Sequence, residues 1–215
     1  MLALQEASVH DGVPDAEAIA DRLGAGFEHF QATAQMRRGL EQANALVWRR
    51  RALSSVAPPE VLPLPQSPAI EVGHPERLLL RVIPTQARMA VRAESPAVRI
   101  YVVHLDVVGF THKLEQFAAV LADMEKRHPV PLTVVAGDLN TFGPVRPHLW
   151  RRIASAAGKA GLVNLTTDIR RTHWTGQKLD AIYASSQVPV RHRSWTVGVR
   201  ASDHLPVFAD IEAAA

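Results

Sequence analysis

Short apolar blocks, each cut off by a polar cluster, recur along the chain and predict strands and helices in mixed order. The first, residues 2–5 ("LALQ"), leads straight to Glu6. Residues 15–23 ("DAEAIADRL") set Ala18, Ile19 and Leu23 on one helical face. Residues 43–48 ("ANALVW") read as a strand. Residues 52–76 carry Pro58, Pro59, Pro63, Pro65 and Pro68 and read as a connecting segment with room for an edge strand and a loop. Two further strands are predicted over 77–83 and 88–92. A strong one spans 97–107, where Ile100, Tyr101, Val102 and Val103 are β-branched or aromatic. The clearest helix covers 113–126, with Leu114, Phe117, Leu121 and Met124 on one stripe. A strand over 131–140, a helix over 148–160, and strands over 178–185 and 205–211 complete the pattern. No internal repeat is present. Strands and helices that alternate without strict βαβ order predict a layered α/β domain.

Composition narrows the chemistry. At 215 residues with 47% apolar residues, the chain has material for one domain with a real core. Cysteine is absent, which excludes disulfides, thiol nucleophiles and thiolate metal sites. Ten histidines and 21 acids remain as metal-capable groups. A net charge of +3 is compatible with a phosphate-bearing substrate without demanding one. Basic residues are scattered apart from "WRRR" at 48–51. No run approaches the roughly 18 apolar residues of a membrane helix. The opening "MLALQEASVHDG" lacks the basic and apolar regions of a secretory signal, so a cytoplasmic, monomeric protein is the expectation.

The candidate chemistry lies where apolar strands end. "LALQEA" places Glu6, "IYVVHLD" places His104, and "VVAGDLN" places Asp138 and Asn140. "KLDAIYAS" carries Asp180, and "SDHLPVFADI" sets Ser202, Asp203 and His204 before a strand. Any one of these alone reads as turn chemistry. Five such junctions in one chain are hard to ascribe to turns. Asp138 and Asn140, two residues apart, would share a face if the strand ran on to Asn140. Asp180 inside an apolar run would be costly without a partner.

Together "LQE", "HLD", "GDLN", "LDAI" and "SDHLPV" resemble, in order, the motifs of the endonuclease/exonuclease/phosphatase superfamily. Deoxyribonuclease-like nucleases, abasic-site endonucleases, sphingomyelinases and inositol phosphatases belong to it. The likeness runs from Leu2 to Ile211, and "GDLN" followed by "SDHLP" is its most specific part. It implies a four-layer α/β/β/α sandwich with two mixed sheets in a single domain over 1–215. It also implies hydrolysis of a phosphoester with Mg2+ or Mn2+ as cofactor. The substrate is then a phosphoester, with nucleic acid one candidate.

On this resemblance Glu6 is the metal ligand, with Asp203 near the metal directly or through water. Asp138 orients or deprotonates the water, and Asn140 donates to a phosphate oxygen. His204 contacts the phosphate as a cation or donor, or acts as the base, while Asp180 holds its other ring nitrogen. His104 is a candidate acid for the leaving group. A phosphomonoesterase, a lipid-head-group phosphodiesterase and a non-catalytic phosphate-binding member are the alternatives.

The loop "RRTHWTG", with His173 and Trp174, is of a kind that touches substrate. His112, His128, His148 and His192 read as solvated, and Trp48 and Trp150 as packing. The family opens with a strand ending in an asparagine ahead of the "QE" strand, whereas this sequence opens on the "QE" strand itself. Unpaired ladder groups, lower stability and lower activity are therefore expected, and an upstream segment should restore both.

Overall fold

The computed structural model describes residues 1–37, 40–53, 58–66, 87–107, 109–142, 146–187, 189–199 and 202–213. The strand predicted over 77–83 and the end of the proline-rich stretch lie outside these residues. In chain order the elements are β1 (Leu2–Ala7), β2 (Val9–His10), β3 (Val13–Pro14), α1 (Asp15–Leu23), β4 (Phe27–Arg37), β5 (Leu40–Arg49) and β6 (Glu60–Pro63). Then follow β7 (Met89–Glu94), β8 (Val98–His104), α2 (Phe110–Glu125), β9 (Leu132–Asp138), α3 (Arg146–Lys159), β10 (Val163–Asn164), β11 (Asp180–Ser186), β12 (Val190–Thr196) and β13 (Val207–Ala213). The α/β expectation holds, and the helix over 15–23 matches α1 residue for residue. β4 and β12 were not among the predicted strands; both carry polar or charged residues at most positions, which hides their alternation.

Six strands form a mixed sheet in the order β10-β11-β9-β8-β7-β6, with β8 and β9 parallel and its other pairs antiparallel. β6 supplies the edge strand expected in the proline-rich segment. A second, antiparallel sheet runs β1-β5-β4. β12 and β13 form a separate antiparallel pair.

Strand alternation decides what packs where. Ala43, Ala45 and Val47 of β5 meet Ala16 and Ala20 of α1, while Leu46 and Trp48 point the other way. That opposite face meets Val91, Ile100, Val102, Val134 and Ala136 of the six-stranded sheet. The far side of the six-stranded sheet, through Tyr101, Val103, Val135 and Tyr183, packs on Phe117 and Val120 of α2 and Ile153 of α3. Buried polar ties reinforce that contact: Arg92 pairs with Asp123 of α2 at 2.7 Å, and the Tyr101 hydroxyl donates to the same carboxylate at 2.8 Å.

The layer above the six-stranded sheet has a gap. Among the described residues β1 pairs only with β5, and β13 only with β12. Leu2, Ala3 and Leu4 on one side and Val207, Phe208 and Ala209 on the other line a cleft of about 610 Å3. Its walls also include Ile100, Val134, Ala136 and Ile182 of the six-stranded sheet. Among the described residues, Asp180 and His204 are its charged or titratable lining side chains, and the Met1 amino group joins them.

Candidate active site

Three neighbouring strands bring three of the predicted residues into one row. His104 ends β8, Asp138 ends β9 and Asp180 opens β11. His104 lies opposite Asp138 in the parallel pair, and Asp138 opposite Asp180 in the antiparallel one. Directly opposed residues share a face of a sheet. Gly137 makes this register possible. A Cβ there would sit 1.9 Å from the Val103 carbonyl oxygen, and its φ of 149° disfavours a side chain. The glycine thus serves the approach of β9 to β8.

Asp138 is buried. Its Oδ2 lies 3.6 Å from His104 Nε2 and 3.9 Å from His204 Nε2. Burial first, and the Asp180 charge second, raise its pKa against the pull of His204, the Asn140 N–H and Arg88.

The expectation that Asn140 continues the strand is corrected. β9 ends at Asp138, and Asn140 takes a φ of 48°. The Asn140 N–H donates to Asp138 Oδ1 at 2.7 Å, closing an Asx-type turn that an extended chain could not make. Its side-chain Nδ2 donates to the Leu105 carbonyl at 2.9 Å, and Lys113 Nζ donates to the Asn140 carbonyl at 2.6 Å. Asn140 is therefore fixed beside Asp138 by the Asp138 carboxylate, the Leu105 carbonyl and the Lys113 ammonium.

His204 reaches the row from a loop. Its Nδ1 lies 2.8 Å from Asp180 Oδ2, a hydrogen bond that aims Nε2 toward Asp138. Burial alone would lower the His204 pKa. The Asp180 hydrogen bond and the charges of Asp180, Asp138 and Asp203 outweigh it and raise the value to about 9. The imidazole is thus a cation at neutral pH. Asp180 also satisfies the demand that a carboxylate beside an apolar run find a partner. The loop holding His204 is zipped to the segment before β11: His173 and His204 form a β-bridge, the Leu205 N–H donates to Thr172 O at 2.7 Å, and the Trp174 N–H donates to Asp203 O at 2.9 Å.

His104 is buried. Arg88 Nη1 lies 2.9 Å from its Nδ1. A guanidinium only donates, so Nδ1 accepts and the ring proton sits on Nε2, facing Asp138. Burial, then the charges of Arg88 and His204, hold its pKa well below the usual value, so the ring is neutral. Arg88 was missed as a site residue. Its signal in the sequence was faint: an arginine opening a predicted strand, with nothing to show that it would be buried.

Glu6 turns out of β1 at a register shift between Leu4 and Ala7, with φ 56°. Its carboxylate is about half exposed, 4.0 Å from His104 Nε2, and accepts from Gln42 Nε2 at 3.1 Å. Asp203 lies on the other side of His204, with its Oδ2 3.6 Å from His173 Nε2.

Two groups of ligand atoms lie within 4.8 Å of one another among the described residues: His173, Asp203 and His204, and Asp138, Asp180 and His204. Both contain His204, whose Nδ1 is already engaged by Asp180 Oδ2 at 2.8 Å. The donors suited to a hard cation are therefore the carboxylates. Glu6 is a carboxylate open on its solvent side, a donor type that suits a hydrated divalent cation.

One of the histidines read as solvated is not. His112 is buried in α2, with its Nε2 3.7 Å from Asp106 Oδ2 and 3.1 Å from Gln116 Nε2. The helix starts three residues earlier than predicted, at Phe110, and so takes His112 inward. His128, His148 and His192 are exposed, and Trp48 is buried.

No curated protein sequence matches the chain. Solved structures do match its fold. An endonuclease/exonuclease/phosphatase family protein from Leptotrichia buccalis C-1013-b superposes with a TM-score of 0.63 at 14% identity, covering 98% of this chain and 86% of that one. The human Nocturnin catalytic domain with bound sulfate anion gives 0.63 at 15% identity, covering 99% and 80%. D. rerio TDP2 complexed with single strand DNA product gives 0.55 at 13% identity, covering 98% and 85%. At these identities the likeness concerns the fold. The sequence itself carries the decisive match, because the model of the Endonuclease/Exonuclease/phosphatase family aligns with residues 1–204, and the chain belongs to that family.

Proposed function

We propose that the chain, a single four-layer α/β/β/α domain over 1–215, hydrolyses phosphodiesters, nucleic acid among them, with the help of Mg2+ or Mn2+. The observation that carries this reading is the pairing of an Asp180-clamped His204 cation with a buried Asp138 carboxylate 3.9 Å away. A phosphodiester needs a water delivered in line, charge stabilisation on the phosphoryl oxygens and help for the leaving oxygen.

Asp138 serves the first need. Its raised pKa brings it toward the range where a carboxylate takes a proton from water efficiently. His204, donating from Nε2, serves the second. Asp180 positions His204. Asn140 holds the Asp138 oxygen that faces away from both histidines, leaving Oδ2 for the water. His104 is assigned as a neutral Nε2–H donor instead of the leaving-group acid, because Arg88 bars its protonation. Glu6 would hold the divalent ion, with Asp203 at its margin. When bound, that ion offsets negative charge on the substrate. The sulfate in the Nocturnin domain and the DNA product in the D. rerio TDP2 structure support a phosphate-bearing ligand for this fold.

The test is a magnesium-dependent hydrolysis panel of bis-aryl phosphate, plasmid DNA, RNA, sphingomyelin and inositol phosphates. Asp138→Asn and His204→Ala are each expected to lower kcat about 10²- to 10⁴-fold while the far-UV circular dichroism stays that of the parent. Turnover unaffected by His204→Ala would sink this mechanism.

A further inference from the structure

Glu6 is aimed by more than its own strand. Leu4 pairs with Ala45 and Ala7 with Ala43, so Gln5 and Glu6 stand together against Asn44. This two-against-one register is a β-bulge. Leu4 and Ala7 both pack on the side of α1. Strict alternation from Leu4 would send Glu6 to that side as well. The extra residue lets Glu6 turn to the other side, toward His104, and its φ of 56° marks the turn.

One strand over, Gln42 takes the same side. It precedes Ala43, which faces α1, and alternates with it as Leu46 and Trp48 alternate with Val47. Asn44, also on that side, donates to the Met89 carbonyl at 2.6 Å and so ties the two sheets through backbone. Gln42 has side-chain partners at both ends instead. Its Nε2 donates to Glu6 Oε1 at 3.1 Å, and Gln35, directly opposite on β4, donates from Nε2 to its Oε1 at 2.7 Å. β4 shifts register at the same level, between Thr33 and Gln35.

The polarity of this row follows from the charge at its end. A carboxylate only accepts, so the Gln42 amide must turn its NH2 group to Glu6. Its oxygen then faces Gln35, which must donate. An amide is also the side chain that fixes a carboxylate and leaves its charge whole. A lysine or arginine in its place would hold Glu6 more strongly and offset the charge that a cation needs. The Gln42 hydrogen bond and the 4.0 Å approach of His104 Nε2 both fall on Oε1.

We infer that Gln42 is a positioning residue for the Glu6 carboxylate: it pins Oε1 and leaves Oε2 for the divalent ion, while Gln35 holds Gln42 in turn. Outer partners of this kind commonly set metal affinity by about tenfold to a hundredfold. The inference rests on the reading of Glu6 as the ligand of that ion.

The experiment reads Mn2+ affinity without substrate, from the electron paramagnetic resonance signal of free Mn2+ in a titration. Gln42→Leu should weaken binding about tenfold. Gln35→Leu should weaken it by a smaller factor, because Gln42 stays in place but is less firmly held. Gln42→Arg should weaken it more than Gln42→Leu, and Gln42→Glu should bind at least as tightly as the parent. A merely structural role would give the three Gln42 variants one affinity, because each breaks the same amide row. No Mn2+ binding by the parent, an affinity that Gln42→Leu leaves unmoved, or one affinity for the leucine, arginine and glutamate variants would each overturn the positioning role. Glu6→Gln separates the two readings. If it keeps the parent's affinity, Glu6 is not the ligand, and the metal assignment fails together with the inference. If it abolishes binding while Gln42→Leu binds as the parent does, the ligand stands and Gln42 has no part in aiming it.

Discussion

The two sides of the candidate site are built to different standards. On one side β8, β9 and β11 are paired along their full lengths, and His104, Asp138 and Asp180 stand on a floor packed against two helices. On the other, among the described residues, β1 and β13 each leave an edge unpaired beside a cleft of about 610 Å3, and Glu6 projects half-exposed from a bulged strand. The residues that need raised or lowered proton affinities lie on the closed side, where burial supplies much of the shift. The residue that would meet a hydrated ion lies on the open side, where water has access. The difference teaches that one site can divide its chemistry by solvent exposure: under the proposed mechanism, proton handling would fall to the buried sheet residues and ion handling to the exposed edge.

That contrast breaks most forcefully at Gly137. Gly137→Ala would place a methyl group 1.9 Å from the Val103 carbonyl, and the neighbour is backbone that cannot rotate away. The β8–β9 ladder must part, at a cost of about 3 kcal/mol or more. For a chain of this size that is a fall of roughly 6–12 °C in Tm by thermal unfolding. Leu2→Ala, on the partly exposed edge of β1, should cost about 1 kcal/mol or less. Equal losses from the two substitutions would show that the sides do not differ in rigidity.

Much of the closed side was readable from sequence, because buried strands with β-branched residues and helices with an apolar stripe leave periodic signals. β8, β9 and the stripe of α2 followed from them, as did α1 under the second sheet, and five strand-end junctions pointed to one site. What stayed hidden depends on contacts that no local pattern records. Arg88 became a site residue only when β7 packed beside β8 and set it against His104. Asn140 left the extended path because the Asp138 carboxylate captured its N–H. β4 escaped notice because only its pairing with β5, and not its own composition, makes it a strand.

A smaller change tests how the closed side tunes the loop. The Asp180 hydrogen bond is the largest of the influences that raise the His204 pKa to about 9 against the effect of burial. A group with a raised pKa keeps its cation below that value and loses it above. If the cation is the working form, kcat/KM should decline as pH rises through about 9. Its acid limb should lie above the ordinary carboxylate range, because Asp138 must lose a proton that burial helps it keep. Asp180→Asn should move the alkaline limb down by more than one pH unit and lower kcat about tenfold to a hundredfold. An alkaline limb still at about 9 would remove Asp180 as the group that positions and charges His204.

The mildest intervention acts on the open side alone. Backbone groups on an unpaired strand edge lose ladder hydrogen bonds. A strand between β1 and β13 would satisfy both edges and pack on the partly exposed Ile182. Because the lining is largely aliphatic, with Gln5, Asp180, Ser202 and His204 as its polar side chains, the inserted residues facing the six-stranded sheet should be small and aliphatic. An extended segment of about six residues with aliphatic side chains at alternate positions, fused ahead of Met1 through a flexible turn, would meet these demands. It must also bear its own ordering entropy, so the net gain should be modest, about 1 kcal/mol, or a rise of roughly 2–4 °C in Tm. The same fusion with aspartate at the inward positions should give no rise. Should both fusions melt with the parent, the unpaired edges are stable as they stand, and the two sides of the site differ in wetness but not in completeness.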